Sequence, residues 1–505
     1  MLTAALCVVC LAGCAALPSL DGRARTAALT DTGETRLGKA AGPLAAEHPG
    51  QSGLLRLANG RDAFATRVRL ADIAERSLDV QYYIWQNDLT GTLLLDALRR
   101  AADRGVRVRL LLDDNGTRGF DDLLRTLVAH RNIEVRLFNP FATRSWRGLE
   151  SVLDFVRLNR RMHNKSFTAD NQVTIVGGRN VGDAYFGAEA GVLFVDLDVL
   201  AIGPVVADVS RDFDGYWASE SAYPAGRIVA PATPSLNGIV RAEADRIERS
   251  PAAVAYLEAV AQEPLVLKMA QRDITFEWAT THLVSDDPAK GRGEAEDETF
   301  MLPRLKRIMR IPTTELVVVS AYFVPGEAGV RYLDGLARSG VKVTVLTNSL
   351  EATDVAAVHS GYAKWRPSML AAGVELWETK RSATQAPAQP RVSGSSGSSL
   401  HAKTFEVDRA QVFIGSFNVD PRSKRLNTEL GFVIDSPSMA TDLSEALPAR
   451  LAGRAYRLRM SPEGSIQWIE QLDGREIVHD SEPGTSFWQR LGVGVLSLLP
   501  IEWLL

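Results

Sequence analysis

"MHNKSFTADNQVTIVGGRN" at residues 162–180 has a counterpart later in the chain, "LHAKTFEVDRAQVFIGSFN" at residues 400–418. Both copies read His-x-Lys, an Asp five residues after the Lys, then Gly-Gly or Gly-Ser, one more residue and Asn. The two histidines stand 238 positions apart (401 − 163). A lone His-x-Lys is usually surface decoration. Matched positions that recur in the same order at one offset indicate a duplicated unit instead.

Each copy follows a longer repeat of strands and helices. In the first half, "LDVQYYIW" predicts a strand, "GTLLLDALRRAADRG" a helix that ends on Gly105, and "VRVRLLLDD" a second strand. The same order returns as "ELVVVSAYFVP", "AGVRYLDGLARSG" and "VKVTVLTNS". Strands that alternate with amphipathic helices favour a largely buried, mixed sheet. The sequence therefore predicts an α/β fold built from two tandem lobes.

The repeat also predicts how the chain is divided. A Pro-rich stretch, "YPAGRIVAPATPS", separates the halves, and the charged "AKGRGEAEDE" (289–298) is typical of an exposed loop. "ATQAPAQPRVSGSSGSS" before Leu400 has the composition of a spacer, and a mobile flank of the motif is the alternative. The predicted segments are a leader at 1–13, a tether at 14–52, an N-terminal lobe at 53–220, a linker and inter-lobe insertion at 221–300, a C-terminal lobe at 301–460 and an extension at 461–505.

Composition narrows the function classes. The chain has 505 residues, of which 46% are hydrophobic and 23% charged, as in an ordered protein of more than one domain. Its formal net charge of −4 lacks the basic excess of a duplex-binding protein, so nucleic acid is not an expected partner. All three cysteines, Cys7, Cys10 and Cys14, lie near the N-terminus, which excludes a disulfide framework or a Cys-based metal site in the body of the chain.

The N-terminal stretch "LTAALCVVCLAGCAAL" has the length and apolarity of a secretory signal. Leu11-Ala12-Gly13-Cys14 resembles the lipobox of bacterial lipoproteins, which implies cleavage after residue 13 and acylation of Cys14. Ala15 follows Cys14, which in those lipoproteins favours the outer membrane. The residues before Leu6 include no Lys or Arg, so an uncleaved anchor is an alternative. The expected location is the bacterial cell envelope, with the protein lipid-anchored and facing the periplasm.

The duplicated motif carries the chemistry of phosphate. In an extended chain His163 and Lys165 share a face, as do His401 and Lys403. A neutral imidazole can attack phosphorus, a second can protonate the leaving oxygen, and the lysines can stabilise the equatorial oxygens. One copy alone has a nucleophile but no acid, so the two halves are expected to share one active site. The candidate phosphate-binding residues are Gly178, Asn180, Ser416 and Asn418.

Carboxylates accompany each motif. Asp170 and Asp408 complete it, and their position before the next apolar strand predicts a hairpin turn in which they accept backbone N–H groups. Asp196 and Glu429 follow the motifs and are the favoured partners for orienting an imidazole, with Asp198 as a competitor. Since no acidic, His or Cys cluster stands at metal-ligand spacing, neither a metal nor another cofactor is expected.

The paired motifs resemble those of the phospholipase D superfamily, and more closely its bacterial cardiolipin synthase branch of the C type. "DVQYYIWQND", "GGRNVGDAYFG", "DLDVLAIGP", "GSFNVDPRS" and "LNTELGFVID" extend the resemblance over most of the chain. It implies two αβα sandwich lobes around one active site and a covalent phosphohistidine intermediate formed without metal. By analogy His163 is the nucleophile and His401 the general acid, and an adduct on His401 would reverse these roles.

The resemblance also implies the substrates. It points to transfer of a phosphatidyl group to phosphatidylglycerol, with phosphatidylglycerol or phosphatidylethanolamine as the donor and a membrane surface as the partner. A phospholipase D-type hydrolase would use the same residues with water as the acceptor. A nuclease or a non-catalytic binding module is disfavoured by the charge balance and by both motifs being intact.

Two further features lie outside the motifs. The final stretch, "TSFWQRLGVGVLSLLPIEWLL" (485–505), is apolar, bracketed by Trp488 and Trp503, and too short and interrupted to be a transmembrane helix. It predicts a segment that rests at the lipid interface, and a helix docked on the core is the alternative. His359 lies on a predicted helix, where helix packing is favoured over head-group contact at the rim of the cleft.

Overall fold

The computed structural model describes residues 17–188, 195–231, 238–265, 268, 273–381, 400–472 and 474–505. The predicted leader, Cys14 and the spacer at 383–399 lie outside the described residues. Among the described residues, no helix has the length and apolarity needed to cross a membrane.

The N-terminal lobe is built on one sheet of nine strands. These are β1 (Ser52–Leu57), β2 (Ser77–Ile84), β3 (Arg107–Gly116), β4 (Ile133–Phe138), β5 (Ser166–Ala169), β6 (Val173–Gly177), β7 (Asp198–Ile202), β8 (Ala222–Pro224) and β9 (Glu277–Ala279). The order across the sheet is β8-β4-β3-β2-β5-β6-β7-β1-β9. The helices of this lobe are α1 (Arg36–Ala46), α2 (Gly60–Ile73), α3 (Leu89–Asp103), α4 (Asp121–Val128), α5 (Arg147–Leu153), α6 (Phe155–Leu158), α7 (Asp183–Phe186), α8 (Pro204–Ala218), α9 (Ile239–Glu248) and α10 (Pro251–Ala261).

The C-terminal lobe has a sheet of ten strands. These are β10 (Thr281–Ser285), β11 (Glu315–Ser320), β12 (Lys342–Asn348), β13 (Glu375–Thr379), β14 (Lys403–Val407), β15 (Gln411–Gly415), β16 (Leu430–Ile434), β17 (Ala455–Met460), β18 (Ile466–Leu472) and β19 (Arg475–His479). Their order is β10-β16-β15-β14-β11-β12-β13-β17-β18-β19. The helices are α11 (Met301–Ile308), α12 (Gly326–Arg338), α13 (Ala356–Ala363), α14 (Arg366–Ala371), α15 (Pro421–Arg425), α16 (Pro437–Leu451) and α17 (Phe487–Ser497).

The two sheets have the same central topology. In the first, β2, β3 and β4 are parallel and β5, β6 and β7 add antiparallel strands; β11 to β13 and β14 to β16 repeat this arrangement. Helices cover both faces, as shown on β3, where Leu110 belongs to the core under α2 and α3 and Leu111 to the core under α8. Strands buried on both faces read as continuous apolar runs. The predicted duplicated α/β fold is confirmed.

The lobes pack against each other through their antiparallel strands. Val176 and Val199 on β6 and β7 share one buried cluster with Ile414 and Phe432 on β15 and β16. Because β6 and β15 each follow a motif strand, this contact brings the two motifs to the same interface. The chain crosses between the sheets at Thr280, since β9 pairs with β1 and β10 pairs with β16.

The predicted tether at 14–52 is wrong from residue 17 onward. The main chain of Thr26 accepts a hydrogen bond from Arg109 at 3.0 Å. Helix α1 is capped by Thr35, whose hydroxyl accepts from the backbone N–H of Gly38 at 3.0 Å, and it buries Leu37 and Ala41 against the lobe. The buried face of α1 consists of Leu37, Gly38 and Ala41, and the composition of the segment alone did not reveal this face.

The predicted insertion at 221–300 is also not a separate unit. Strand β8 pairs with β4, and α9 and α10 bury Val240, Ile247 and Tyr256 in the core of the N-terminal lobe. The remainder, from β10 onward, belongs to the C-terminal lobe. The extension predicted at 461–505 likewise begins as sheet, because β18 and β19 continue from β17.

Candidate active site

The motif histidines leave their own sheets and bind the opposite lobe. Strands β5 and β14 begin later than the sequence pattern predicted, so His163, Lys165 and His401 precede them. The backbone N–H of His163 donates to the carbonyl of Thr428 at 2.9 Å, and that of His401 donates to Val195 at 2.9 Å. Each histidine is thereby held beside the residue that precedes a carboxylate of the other half.

The result is a crossed pair of histidine–carboxylate contacts. His163 Nδ1 lies 2.8 Å from Glu429 Oε2, across 266 residues of sequence, and His401 Nδ1 lies 2.6 Å from Asp196 Oδ2, across 205. A carboxylate only accepts, so each Nδ1 carries the proton and chemistry at the ring falls to Nε2. The sequence named both carboxylates as partners but left open which histidine each one serves.

Asp198, the competitor, has a structural role. Its Oδ2 accepts from Arg67 at 2.7 Å in a fully buried ion pair, and its Oδ1 accepts from the backbone N–H of Arg179 at 3.2 Å. The side chain lies on β7, which holds it in the lobe core beneath α2 rather than at the cleft.

Both motif lysines are buried and bound to their own motif. The Nζ of Lys165 donates to the carbonyl of His163, and that of Lys403 donates to the carbonyl of His401. Burial lowers the pKa of Lys403 to about 8, against the attraction of Asp196 and Glu429. Burial also lowers the pKa of Lys165 well below its usual value, with Glu429 opposing and Lys403 adding to the shift. An anionic ligand such as phosphate would stabilise the charged form of both lysines.

The two histidine–carboxylate pairs differ in their electrostatics. Burial raises the pKa of Glu429 to about 7, although Lys165, Ser416 and Ser423 oppose it. Burial also disfavours ionisation of Asp196, but His401 and Lys403 outweigh it and hold the pKa of that carboxyl well below its usual range. Burial lowers the pKa of His401 to about 3, and burial together with both lysines lowers the pKa of His163 well below 6.5. Both shifts favour the neutral form of the imidazole.

The residue beside each carboxylate explains the Gly-Gly and Gly-Ser versions of the motif. A Cβ at Gly178 would lie 2.2 Å from Asp196 Oδ1, so only glycine leaves room for that carboxylate. Ser416 at the matching position donates to Glu429 Oε2 at 2.5 Å, and Ser423 donates to Glu429 Oε1 at 2.8 Å. The contacts of Gly178 and Ser416 are thus with the carboxylates, which differs from their predicted role in binding phosphate.

The two motif asparagines lie under the site. Asn180 Oδ1 accepts from the backbone N–H of Ile84 at 3.2 Å, and its Nδ2 donates to the Tyr185 hydroxyl at 3.0 Å. Asn418 Oδ1 accepts from the backbone N–H of Tyr322 at 3.4 Å. These contacts fix the ends of β2 and β11, a positioning role that the sequence pattern did not predict.

The prediction that Asp170 and Asp408 accept backbone N–H groups in hairpin turns is confirmed. Asp170 Oδ1 accepts from Arg76 at 2.7 Å and Ser77 at 2.9 Å. Asp408 Oδ1 accepts from Thr314 at 2.7 Å and also from Glu315. Both aspartates have positive φ, 50° and 54°, a conformation that Asp tolerates because its short side chain bonds locally. They tie each motif hairpin to the start of the neighbouring strand, β2 or β11, which pairs antiparallel with the motif strand.

Aromatic rings that the sequence reasoning missed line the histidines. The ring of Tyr83 packs edge-on against His163 with centroids 5.0 Å apart, and Tyr185 packs in the same way against His401 at 5.2 Å. Tyr322 is 239 positions after Tyr83 (322 − 83), and its hydroxyl donates to Asp354 at 2.9 Å. That spacing is close to the offset of 238 between the motif histidines, so comparing the two halves at this offset would have matched Tyr83 with Tyr322.

A second missed group supports Glu429 from behind. Asp286 Oδ2 accepts from the backbone N–H of Glu429 at 2.8 Å, and its Oδ1 accepts from Lys290 at 2.9 Å. Both side chains are fully buried. The prediction that the loop at 289–298 is exposed is therefore wrong at Lys290. Charged composition concealed the buried pair.

The prediction for His359 is resolved by its burial. His359 is buried, with Nε2 3.1 Å from Glu482 Oε1 and 2.8 Å from Arg366 Nη2, which matches the favoured interpretation of helix packing. Over the ranges that the structure describes, no group of three or more His, Cys, Asp or Glu side chains is arranged to hold a metal ion.

A duplicated α/β lobe, with one His and one Lys from each half at the shared interface, defines a two-lobed phosphotransfer enzyme of the phospholipase D type. A family model described as "Cardiolipin synthase, PLD-like domain" matches residues 68–217 and 305–450. The chain belongs to this family, as the sequence resemblance predicted. It is an enzyme of the phospholipase D superfamily and a homologue of cardiolipin synthase.

Individual relatives agree with this assignment. Cardiolipin synthase C of Escherichia coli (strain K12) is 50% identical over 478 residues, covering 93% of this chain and 100% of that protein. An uncharacterized protein of Helicobacter pylori (strain J99) is 32% identical over 455 residues, or 88% of each chain. The crystal structure of phosphatidylserine synthase from Haemophilus influenzae Rd KW20 superposes with a TM-score of 0.56 at 13% identity, over 93% of this chain and 100% of that chain. At that identity the structural likeness supports the fold alone.

Proposed function

We propose that the protein transfers a phosphatidyl group from a donor phospholipid to a hydroxyl of phosphatidylglycerol, which yields cardiolipin. The observation that carries the proposal is the crossed contact of His163 with Glu429 and of His401 with Asp196, which brings two imidazoles and two lysines from opposite halves to one interface. The 50% identity to a cardiolipin synthase supports the choice of lipid substrates.

In the first step, Nε2 of His163 attacks phosphorus, the P–N bond forms and the P–O bond to the leaving alcohol breaks. The leaving oxygen takes a proton from His401. Lys165 and Lys403 stabilise the equatorial oxygens as charge moves outward. A bound phosphodiester raises the pKa of both histidines by its negative charge, so His401 can enter this step protonated.

In the second step, a hydroxyl of phosphatidylglycerol attacks the phosphohistidine. The hydroxyl proton passes to Nε2 of His401, the P–N bond breaks and His163 is released neutral. One phosphodiester replaces another, so the two steps consume no water, and Lys165 and Lys403 supply the positive charge at phosphorus. Water in place of the lipid hydroxyl would give the hydrolase alternative.

The difference between the two carboxylates supports the order of roles. The strongly ionised Asp196 stabilises an imidazolium, which suits His401 as the acid. Glu429 shares its charge with the hydroxyls of Ser416 and Ser423, and its pKa is raised to about 7 by burial, which suits a neutral His163 as the nucleophile.

The test uses the purified full chain and vesicles that contain isotope-labelled phosphatidylglycerol, with and without phosphatidylethanolamine. Mass spectrometry should find labelled cardiolipin, and His163→Ala and His401→Ala should each abolish it. Rapid acid quenching should trap a phosphatidyl adduct on His163; an adduct on His401 would reverse the two roles. Formation of phosphatidic acid without cardiolipin would favour the hydrolase.

We further propose that Cys14 is acylated and holds the protein at the cell envelope, facing the periplasm and at the outer membrane rather than the inner one. The lipobox-like Leu11-Ala12-Gly13-Cys14 supports this location. Mass spectrometry of the mature N-terminus should find a lipid on Cys14, and the protein should sediment with the outer-membrane fractions of a sucrose gradient. An unmodified N-terminus would contradict the proposal.

A further inference from the structure

An exposed apolar segment lies on the N-terminal lobe where the chain approaches the first motif. The turn before α5 together with α5 and α6 leaves Trp146, Leu149, Val152 and Val156 exposed. Val152 and Val156 keep 74% and 73% of their surface in contact with solvent. Monomeric proteins rarely present such a run without a partner.

A second exposed apolar segment comes from the C-terminus. Helix α17 buries Val493, and the side chain of Leu505 is buried against Gly361. The contact is close, because a Cβ added to Gly361 would lie 2.7 Å from Leu505 Cδ1. The opposite face is open, with Trp488 exposed by 75% and Leu498 by 85%. One side of the tail is therefore docked on the protein, and the other side is apolar and exposed. The sequence had offered a docked helix and a segment at the lipid interface as alternatives, and the tail has features of both.

Residues that follow the two segments in the chain both contact Arg422, next to the active site. The backbone N–H of Arg422 donates to the carbonyl of Leu505 at 2.7 Å, and its Nη1 donates to Asn159 Oδ1, directly after α6, at 2.8 Å. The next residue, Ser423, donates to Glu429, which holds His163. Arg422 and Ser423 thus join the chain after each apolar segment to the carboxylate that binds His163.

The strip between the segments is basic. Helix α15 has the sequence "PRSKR", with three cations and no acidic residue. Arg160 joins it from the N-terminal lobe, since its Nη1 donates to the carbonyl of Arg425 at 3.0 Å. Along α17 and the two residues after it, Arg490 is the only charged side chain. Apolar side chains, exposed Trp and flanking cations form the pattern of a surface that lies in the headgroup region of an anionic bilayer.

We propose that one surface of the protein rests on an anionic lipid bilayer and turns the shared histidine site toward its substrate. This bilayer surface consists of residues 146–156, 422–425 and 487–499. The proposal rests on the proposed function, because a lipid-transferring enzyme draws both substrates from the membrane. The sequence predicted a lipid contact for the C-terminal tail alone. The proposal adds a lipid contact for the N-terminal lobe and for the basic strip. Charge complementarity favours the bilayer over a second copy of the chain, which would place two like-charged strips together.

The test is vesicle flotation of the full chain carrying Cys14→Ser, so that no acyl group contributes to binding. The two double variants are Val152→Glu with Val156→Glu, and Trp488→Glu with Leu498→Glu. Each should weaken binding to phosphatidylglycerol-containing vesicles by about tenfold or more, since interfacial binding scales with buried apolar area. Arg425→Glu should weaken binding to these vesicles but not to pure phosphatidylcholine vesicles. Ile311→Glu, at a site exposed by 77% near the opposite end of β11, is the matched control and should bind as the parent does.

Two further measurements separate the possible failures. Turnover of a short-chain, water-soluble analogue should be unchanged in both double variants, because their side chains do not contact the site. Double variants that float as the parent does would overturn the bilayer surface, while the proposed function would stand if the analogue is turned over. A parent that floats but makes no cardiolipin would overturn the function alone. Light scattering that finds a dimer in the parent and a monomer in the variants would assign the surface to a second copy.

Discussion

Replacing Glu429 with Gln tests the crossed arrangement at its most sensitive point. The substitution preserves volume and leaves one oxygen that can accept from Ser416 or Ser423, but it removes the charge 2.8 Å from His163 Nδ1. Loss of a hydrogen bond to a charged group costs about 1.5–3 kcal/mol, or roughly 10- to 150-fold in rate. A Gln amide can also donate to Nδ1, which moves the imidazole proton to Nε2 and removes the attacking lone pair. A wrong tautomer costs up to about 10⁴-fold in a comparable triad.

The expected loss in turnover is therefore about 10- to 10⁴-fold. Initial rates of cardiolipin formation should be measured for Glu429→Gln and for Glu406→Gln, a matched control. Glu406 is buried on β14, accepts from the backbone N–H of Arg409 and lies away from both histidines. Glu406→Gln keeps an oxygen that can accept from the backbone N–H of Arg409, so the variant should fold and turn over normally. If Glu429→Gln keeps its melting temperature and stays within threefold of the parent rate, His163 is not oriented by the opposite lobe.

The other predictions concern pH, backbone space, stability and metal. The kcat/KM profile should rise near pH 7 as Glu429 loses its proton and can accept from His163, and fall near pH 8 as Lys403 loses its charge; a flat profile from pH 6 to 9 would contradict this. Gly178→Ser should slow turnover about 100-fold by displacing Asp196, whereas an unchanged rate would show that the carboxylate has room to move. Asp170→Ala should lower the free energy of unfolding by about 2–4 kcal/mol in urea melts, and Asp170→Asn, which keeps one acceptor and tolerates positive φ, should lose less. Turnover should survive a chelator, because the lysines supply the positive charge; loss that added metal restores would refute this.

Local pattern was sufficient for much of the architecture. The offset of 238 between His163 and His401 reveals the duplication, and the alternation of strands and helices predicts both sheets. The motif turns followed from the chemistry of Asp170 and Asp408, which bond backbone groups close to them in the fold. The duplication, the alternation of elements and the position of each turn depend on spacing along the covalent chain, so the sequence alone carries them. The particular backbone groups that Asp170 binds, on Arg76 and Ser77, lie more than 90 residues away and required the tertiary structure.

Contacts between the lobes required the tertiary structure. The motif occurs once in each half, and each copy is followed by its own carboxylate. The sequence therefore does not reveal that His163 binds Glu429, 266 residues away, and that His401 binds Asp196. That exchange arises because β6 and β7 pack against β15 and β16, an arrangement set by the shape of two buried faces. The same packing gives Gly178 and Ser416 their different tasks, since one must leave space for a carboxylate and the other must bind one.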